Sequence, residues 1–116
     1  MKHLKKNRKF GRTADYRKSF LWNLGSSLIL KERIKTTEAR AKEIRPLVER
    51  ALTAAKKDTL SNRRNLLKKM GARPVGKLFK DLAPRFKERN GGYLRIIKIG
   101  ARKNDAAKTV FIEFVK

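Results

Sequence analysis

Cysteine is absent from the 116 residues of this chain, and histidine occurs only once, as His3. The absence of cysteine excludes disulfides and thiolate metal sites, which suits a reducing cytosol. A lone histidine cannot form a metal site by itself. No apolar run approaches the roughly 18 residues of a membrane span, and the basic N-terminus lacks the apolar segment of a signal peptide. We therefore expect a cytoplasmic protein without a metal or cofactor.

Acidic residues are scarce, with 10 Asp and Glu against 33 Lys and Arg, so the net charge is +23. A folded chain of this charge repels itself unless a polyanion or counterions offset the repulsion. Nucleic acid is the partner that we favour, with an anionic membrane surface or an acidic protein as alternatives. The carboxylates are scattered singly and form no acidic cluster of the kind that a metal-dependent nuclease needs. Nucleophile and phosphate-loop motifs are also absent, so we predict a binding protein that is not an enzyme and has no small-molecule substrate.

Residues 1–12 form a basic block without any acidic residue. Such a block has too few apolar side chains for burial to offset the conformational entropy that it would lose on ordering. Beside nucleic acid it would lie along the phosphates and release their counterions. We predict an N-terminal arm over residues 1–12 and a single domain over residues 13–116, with a solubilising tail as the alternative reading of the arm. The predicted contacts in the arm are Lys2, His3, Lys5, Lys6, Arg8, Lys9 and Arg12.

The stretch from Arg33 to Lys57 predicts the central strand-to-helix unit of the fold. A short strand over Ile34–Thr36 leads to Thr37, whose hydroxyl can cap the following helix. Pro46 interrupts that helix, and because the apolar pattern keeps its phase we favour a kink over two separate helices. The apolar stripe, expected to face the core, recurs at three- and four-residue steps and comprises Ala41, Ile44, Val48, Ala51, Leu52 and Ala55.

A first helix is predicted from Thr13 to about Lys31 by a four-residue apolar spacing. Trp22 and Ile29 are expected on the side opposite to this stripe. We favour packing of Trp22 under a neighbouring element, with stacking on a base as the alternative. The predicted stripe comprises Tyr16, Phe20, Leu24 and Leu28, with Leu21 at its edge.

The second half of the chain predicts two more helices and then two strands. The third helix is expected over Leu60–Met70, with Asp58 or Thr59 as its cap and Gly71 at its end. A fourth, short helix is expected to open at Pro74 and to stop at Pro84. The strands are predicted over Tyr93–Ile99 and Thr109–Val115, the second burying Val110, Ile112 and Phe114, with a long basic loop between them. The resulting order is typical of a two-layer α+β domain with one small sheet.

Basic residues occur in every segment rather than on one groove-reading helix. This distribution is typical of a protein embedded in folded RNA. Arg63 and Arg64 on the third helix, and Arg102 and Lys103 in the last loop, are predicted RNA contacts, although a charged helix face is often only solvated. DNA binding is the rival hypothesis, because the two helices joined at 71–73 resemble a helix-turn-helix. The second of them offers no Asn, Gln or Arg for reading base edges.

Several fragments together resemble the bacterial large-subunit ribosomal protein L seventeen family, and they cover nearly the whole chain. The most specific fragments lie in the second half of the chain, from Lys77 onward. All the matching fragments, in sequence order, are Met1-Lys2-His3, Gly11-Arg12-Thr13, Arg17-Lys18, Ile34-Lys35-Thr36-Thr37, Lys42-Glu43-Ile44-Arg45, Lys77-Leu78-Phe79, Ala83-Pro84-Arg85-Phe86, Arg89, Gly91-Gly92-Tyr93, Arg95-Ile96 and Lys98.

The resemblance implies a structural protein of the large ribosomal subunit, with helix, strand, three helices and two strands. It implies binding to large-subunit ribosomal RNA near the polypeptide exit tunnel, beside other ribosomal proteins, and no catalysis. The chain departs from the family at residues 14–16, where Ser-Ser-His is common, and at Pro46. Besides the basic start of the chain, the RNA contacts carried over by position are Arg12, Arg17, Lys35, Arg85, Arg89, Tyr93 and Arg95. Lys18, the neighbour of Arg17 in the sequence, is also a predicted RNA contact.

Overall fold

The computed structural model describes residues 14–103 and 105–115, so the arm predicted for residues 1–12 lies outside the described residues. The α+β class and the order of helix, strand, three helical segments and two strands are confirmed. No helix in the described ranges is long and apolar enough to cross a membrane. The elements are α1 (Ala14–Lys31), β1 (Arg33–Thr37), α2 (Glu38–Ala55), α3 (Leu60–Met70), α4 (Ala72–Lys77), a π-helical turn (Leu78–Leu82), α5 (Ala83–Arg85), β2 (Leu94–Ala101) and β3 (Lys108–Phe114).

The three strands form one antiparallel sheet in the order β1-β3-β2. The last strand of the chain is therefore the central one, and β1 lies at an edge. The prediction of a central strand-to-helix unit is correct for its helix and wrong for its strand. Apolar periodicity shows which face of a strand is buried but does not set the order of strands. The predicted inward face of β3 is confirmed, since Val110, Ile112 and Phe114 are buried.

Helix α2 lies between the sheet and the other helices. Every residue of its predicted apolar stripe is buried. Thr37 caps the helix as expected, because its Oγ1 accepts a hydrogen bond from the backbone N of Arg40 at 3.4 Å. Pro46 lies inside one continuous helix, so the alternative of two separate helices is wrong.

The predicted stripe of helix α1 is confirmed in part, since Leu28 is buried and Leu21 and Leu24 pack against the core. Tyr16, placed in the stripe, is 62% exposed, whereas Ile29, placed on the opposite side, is fully buried together with Leu28. Helix α1 packs against α2, α3, α4 and β1, and its buried residues Gly25, Leu28 and Ile29 all lie in its C-terminal half, so more than one of its faces is covered there. Trp22 is partly buried against the core, which agrees with the favoured packing interpretation.

The fourth helical segment, defined as α4, the π-helical turn and α5 together, continues through Pro84 to Arg85. The prediction that Pro84 stops this helix is wrong. In the turn before it, the backbone N of Ala83 donates to the carbonyl of Leu78, five residues earlier. A wider π turn relieves the clash that a proline ring makes with the carbonyl four residues before it.

The structure shows which residues begin and end the third helix and how long the loop between β2 and β3 is. Thr59, not Asp58, caps α3, accepting from the backbone N of Asn62 at 3.2 Å. Gly71 ends α3 with the expected positive φ of 85°, which favours glycine. The loop between β2 and β3 is shorter than predicted, because the strands continue pairing as far as Ala101 and Lys108.

Candidate nucleic-acid interface

Of the seven arginines that were predicted to contact RNA and that the structure describes, four are held by carboxylates of the protein itself. Arg63 pairs with Asp58 and Arg102 with Asp105, each through Nε and Nη2. The Nη2 atoms lie 2.8 Å from carboxylate oxygens in both pairs. These bidentate contacts fix the guanidinium groups and offset part of their charge. The Arg63 guanidinium also covers the ring of Phe79, with 4.4 Å between its Cζ and the ring centre.

Glu32 lies at the corner between α1 and β1 and joins distant elements. Its φ is 65°, a left-handed conformation that is uncommon outside glycine. Its backbone N donates to Leu28 O at 2.6 Å and closes the end of α1. Its carboxylate pairs with Arg85 and with Lys77, whose Nζ lies 2.9 Å away. The hydrogen bonds from Arg85 and Lys77 lower the pKa of Glu32 to about 2, so the carboxylate is charged at neutral pH.

Arg85 is therefore a structural cation as well as a candidate RNA contact. Its Nη2 also lies 3.0 Å from the carboxylate of Asp81 in the π-helical turn. The side chain is 36% exposed. It holds the end of the fourth helical segment against the corner at Glu32, and only part of its surface faces solvent.

Tyr93 lies in the core rather than on the surface, with 1% of its area exposed. Its ring meets Phe86 edge to face at 5.5 Å between centroids. Its hydroxyl accepts a hydrogen bond from Lys56 Nζ at 3.1 Å, and the same ammonium donates to the carbonyl of Arg89 at 2.6 Å. Arg89 in turn donates through Nε to Gly92 O at 3.0 Å. The predicted RNA contact at Tyr93 is corrected to a core position, and Arg89 braces the turn that leads to β2.

Several other predicted contacts are free to meet a polyanion. Lys18, Lys35, Arg64 and Lys103 are exposed and form no ion pair within residues 14–103 and 105–115. Arg17 is half-buried, also without such a pair. These side chains lie on α1, β1, α3 and the last loop, so unpaired positive charge is distributed over several elements rather than gathered on one.

The face of the sheet that turns away from α2 forms one candidate surface, here called the outer sheet face. The strand register places Arg33, Glu113 and Arg95 in one row and Lys35, Phe111 and Ile97 in the next. Glu113 pairs with both arginines, at 3.3 Å from Arg33 Nε and 2.8 Å from Arg95 Nη2. The Cζ of Arg33 lies 3.8 Å from the centre of the Phe111 ring. This face offers cations around an aromatic ring, and sequence analysis missed Arg33 because only strand pairing brings it there.

A second surface is the helix groove, a cleft of about 810 Å³ between α1, α2 and α3. It was not predicted, because its walls come from three helices whose relative positions periodicity does not give. Basic residues and amides on its walls include Lys18, Arg50, Asn65, Lys68 and Lys69, and Trp22 also lines it. In the part of the chain that the structure describes, no group of three acidic, histidine or cysteine side chains could hold a metal ion.

The helix-turn-helix alternative requires a second helix with a free face. Helix α4 spans only Ala72–Lys77, and it buries both Pro74 and Val75. The face that would enter a major groove is thus partly directed into the core. The geometry does not favour this way of reading DNA.

Comparison with known proteins gives the family of this chain. The family described as Ribosomal protein L17 matches residues 20–115. The chain belongs to this family. A protein of Fusobacterium nucleatum, named large ribosomal subunit protein bL17, is 50% identical over 116 residues, covering 99% of this chain and 100% of the relative.

Other members of the family give the same result. Proteins of that name from Staphylococcus epidermidis and Staphylococcus haemolyticus are each 47% identical over 119 residues. Each match covers 93% of this chain, together with 98% of the first relative and 97% of the second. The family resemblance expected from the sequence fragments is confirmed over nearly the full length of the chain.

Proposed function

We propose that this chain is a structural component of the large ribosomal subunit, in the cytoplasm, and that it binds large-subunit ribosomal RNA. Its family membership supports the place in the large subunit. Binding uses contacts to phosphate, ribose and the shape of folded RNA, which dominate recognition of structured RNA. The chain catalyses no reaction and takes no small-molecule substrate.

The observation that carries RNA binding is the excess of cations that have no carboxylate partner. With 33 basic and 10 acidic residues, the ion pairs within the protein leave most of the positive charge uncompensated. The unpaired side chains of Lys18, Lys35, Arg64 and Lys103 lie on different elements. A DNA-reading helix would gather such side chains on one element, whereas a folded RNA that surrounds the domain can contact several elements at once.

The finer parts of the proposal concern the arm and the position in the subunit. Residues 1–12 follow the RNA backbone as a basic arm, and residues 13–116 form the domain that docks on the RNA. The family resemblance supports a place near the polypeptide exit tunnel, beside other large-subunit proteins. Crosslinking of the assembled particle, followed by mass spectrometry, would identify the neighbouring proteins and test that location.

A salt titration tests RNA binding and the arm together. The full chain and a chain lacking residues 1–12 are titrated with a large-subunit ribosomal RNA fragment at several salt concentrations. Each phosphate contact contributes roughly 0.7–0.9 to the slope of log affinity against log salt, so deletion of the arm is expected to weaken binding and flatten the slope by several units. Equal slopes would contradict the role of the arm.

Co-sedimentation tests the place in the ribosome. In a sucrose gradient of a cell lysate, this chain is expected to travel with the large subunit and to remain with it in moderate salt. Its absence from intact large subunits would contradict the proposed function. Competition by duplex DNA of varied sequence completes the test, because a sequence-specific preference for DNA would favour the rival hypothesis.

A further inference from the structure

The helix groove has the dimensions of a binding site. Its volume of about 810 Å³ falls within the range of roughly 300–1,000 Å³ that is common for ligand pockets. Its floor is apolar, since Ala51, Ala54 and Leu66 contribute to it. The groove therefore combines an apolar base with polar and charged walls.

The electrostatics of the groove select an anionic occupant. Lys18, Arg50, Lys68 and Lys69 line it, and no acidic residue does. None of these four forms an ion pair within the described residues, in contrast to Arg63 on the exposed side of α3, which is held by Asp58. Charge of the same sign also disfavours the basic arm of this chain as the occupant.

An indole ring and free amides add the means to recognise a base. Trp22 lines the groove, with Lys69 Nζ 5.3 Å from its ring centre. Lys69 has a long, flexible side chain, so its ammonium can turn to a phosphate and uncover the ring. Asn23 and Asn65 also line the groove, and their amides have no hydrogen-bond partner among residues 14–103 and 105–115. Amides at such positions can bind the edges of an unstacked base, as in recognition of single-stranded RNA.

We propose that the helix groove binds one unpaired nucleotide of the RNA, with its base against Trp22 and its phosphates at Lys68 and Lys69. This inference rests on the proposed RNA-binding function and names the feature of the RNA that the groove takes. Bases inside a continuous duplex are stacked and cannot enter a groove. A bulged or looped-out base presents a free aromatic face and a phosphate on either side.

Trp22 is the only tryptophan in the chain, so intrinsic tryptophan fluorescence reports on the groove alone. The full chain is titrated with two fluorescein-labelled RNA duplexes that differ only by one central bulged nucleotide. Fluorescein anisotropy measures total binding, and tryptophan emission measures occupation of the groove. We expect both RNAs to bind, and only the bulged RNA to quench Trp22 strongly.

Variants separate the groove from general charge. Asn65→Ala and Lys18→Ala, both at exposed positions, are expected to reduce the preference for bulged over paired RNA. Trp22→Leu is expected to reduce it about tenfold, since stacking on an aromatic side chain contributes on the order of a factor of ten per base. Lys80→Ala is the matched control for Lys18→Ala, because Lys80 is exposed and lies outside the groove.

The outcomes distinguish the two levels of the proposal. If both RNAs bind by anisotropy and Trp22 emission does not change, the groove inference is wrong and the proposed function stands. If neither RNA binds in moderate salt, RNA binding fails and the groove inference fails with it. Quenching of Trp22 by poly-glutamate to the same extent as by bulged RNA would overturn the nucleotide assignment, since the groove would then accept any flexible polyanion.

Discussion

Replacing Glu32 by glutamine removes the charge that joins the corner after α1 to the fourth helical segment, while keeping the size of the side chain. In the wild type, this carboxylate pairs with both Lys77 and Arg85. Glutamine can still accept a hydrogen bond through its carbonyl but loses the charge-assisted part of both contacts. We expect Glu32→Gln to fold and to be less stable than the wild type at neutral pH.

The size of the effect follows from the pKa of Glu32. Hydrogen bonds from Arg85 and Lys77 lower this pKa from 4.5 to about 2, which corresponds to at most about 3.5 kcal/mol at about 1.4 kcal/mol per pKa unit. The Glu32 side chain is 36% exposed. Solvent screening at such exposure reduces the expected loss to about 1–2 kcal/mol. Because folding lowers the pKa, the stabilisation is complete above pH 4.5 and is lost as the pH falls through about 2.

Urea unfolding followed by far-UV circular dichroism measures this loss, since urea is uncharged and leaves ion pairs unscreened. Glu88→Gln is the matched control, because Glu88 is exposed and forms no ion pair with any described residue. The control is expected to change the free energy of unfolding by less than about 0.5 kcal/mol. The reasoning would be refuted if both variants lost the same stability, or if the Glu32→Gln difference did not shrink as the pH was lowered below 4.5.

Three further substitutions test packing and helix ends by the same urea assay. Gly25→Val is expected to cost about 1–3 kcal/mol, because even a Cβ at Gly25 would lie 3.1 Å from Val48 Cγ2; no loss would contradict the close approach of α1 and α2. Gly76→Ala, with nothing within 4 Å of the added Cβ, is expected to gain about 0.5–1 kcal/mol from helix propensity. Thr59→Ala is expected to cost about 1 kcal/mol by removing the α3 cap, and an unchanged midpoint would refute that role.

Local patterns in the sequence predicted α2 most accurately. Its cap at Thr37 and its buried stripe depend only on residues a few positions apart, which a helix places at fixed angles. Helix α1 was predicted less well because its burial depends on how several other elements pack against it, and this packing buries Ile29 but leaves Tyr16 exposed. Pro84 was misjudged because the π-helical turn that accommodates it is not encoded by apolar spacing.

The candidate site likewise combines features that the sequence predicted with features that depend on tertiary packing. The sequence predicted an RNA-binding chain, and several of the cations that it assigned to RNA contacts are exposed, including Lys18 and Lys35. It did not show that Arg85 is held by Glu32, a contact between residues 53 positions apart. Nor did it show that Tyr93 is buried or that Trp22 lines a basic groove, since both facts depend on how separate elements pack.

The amino-acid sequence by itself determined the charge, the helices and strands, and the family of this protein, because composition, periodicity and ordered fragments are properties of the chain alone. Only the tertiary structure decided that β3 is the central strand, which cations are neutralised by carboxylates, and where the helix groove lies. Ion pairs and grooves require particular side chains from distant segments to meet. That meeting is fixed when the whole core is packed, and no local pattern in the sequence specifies it.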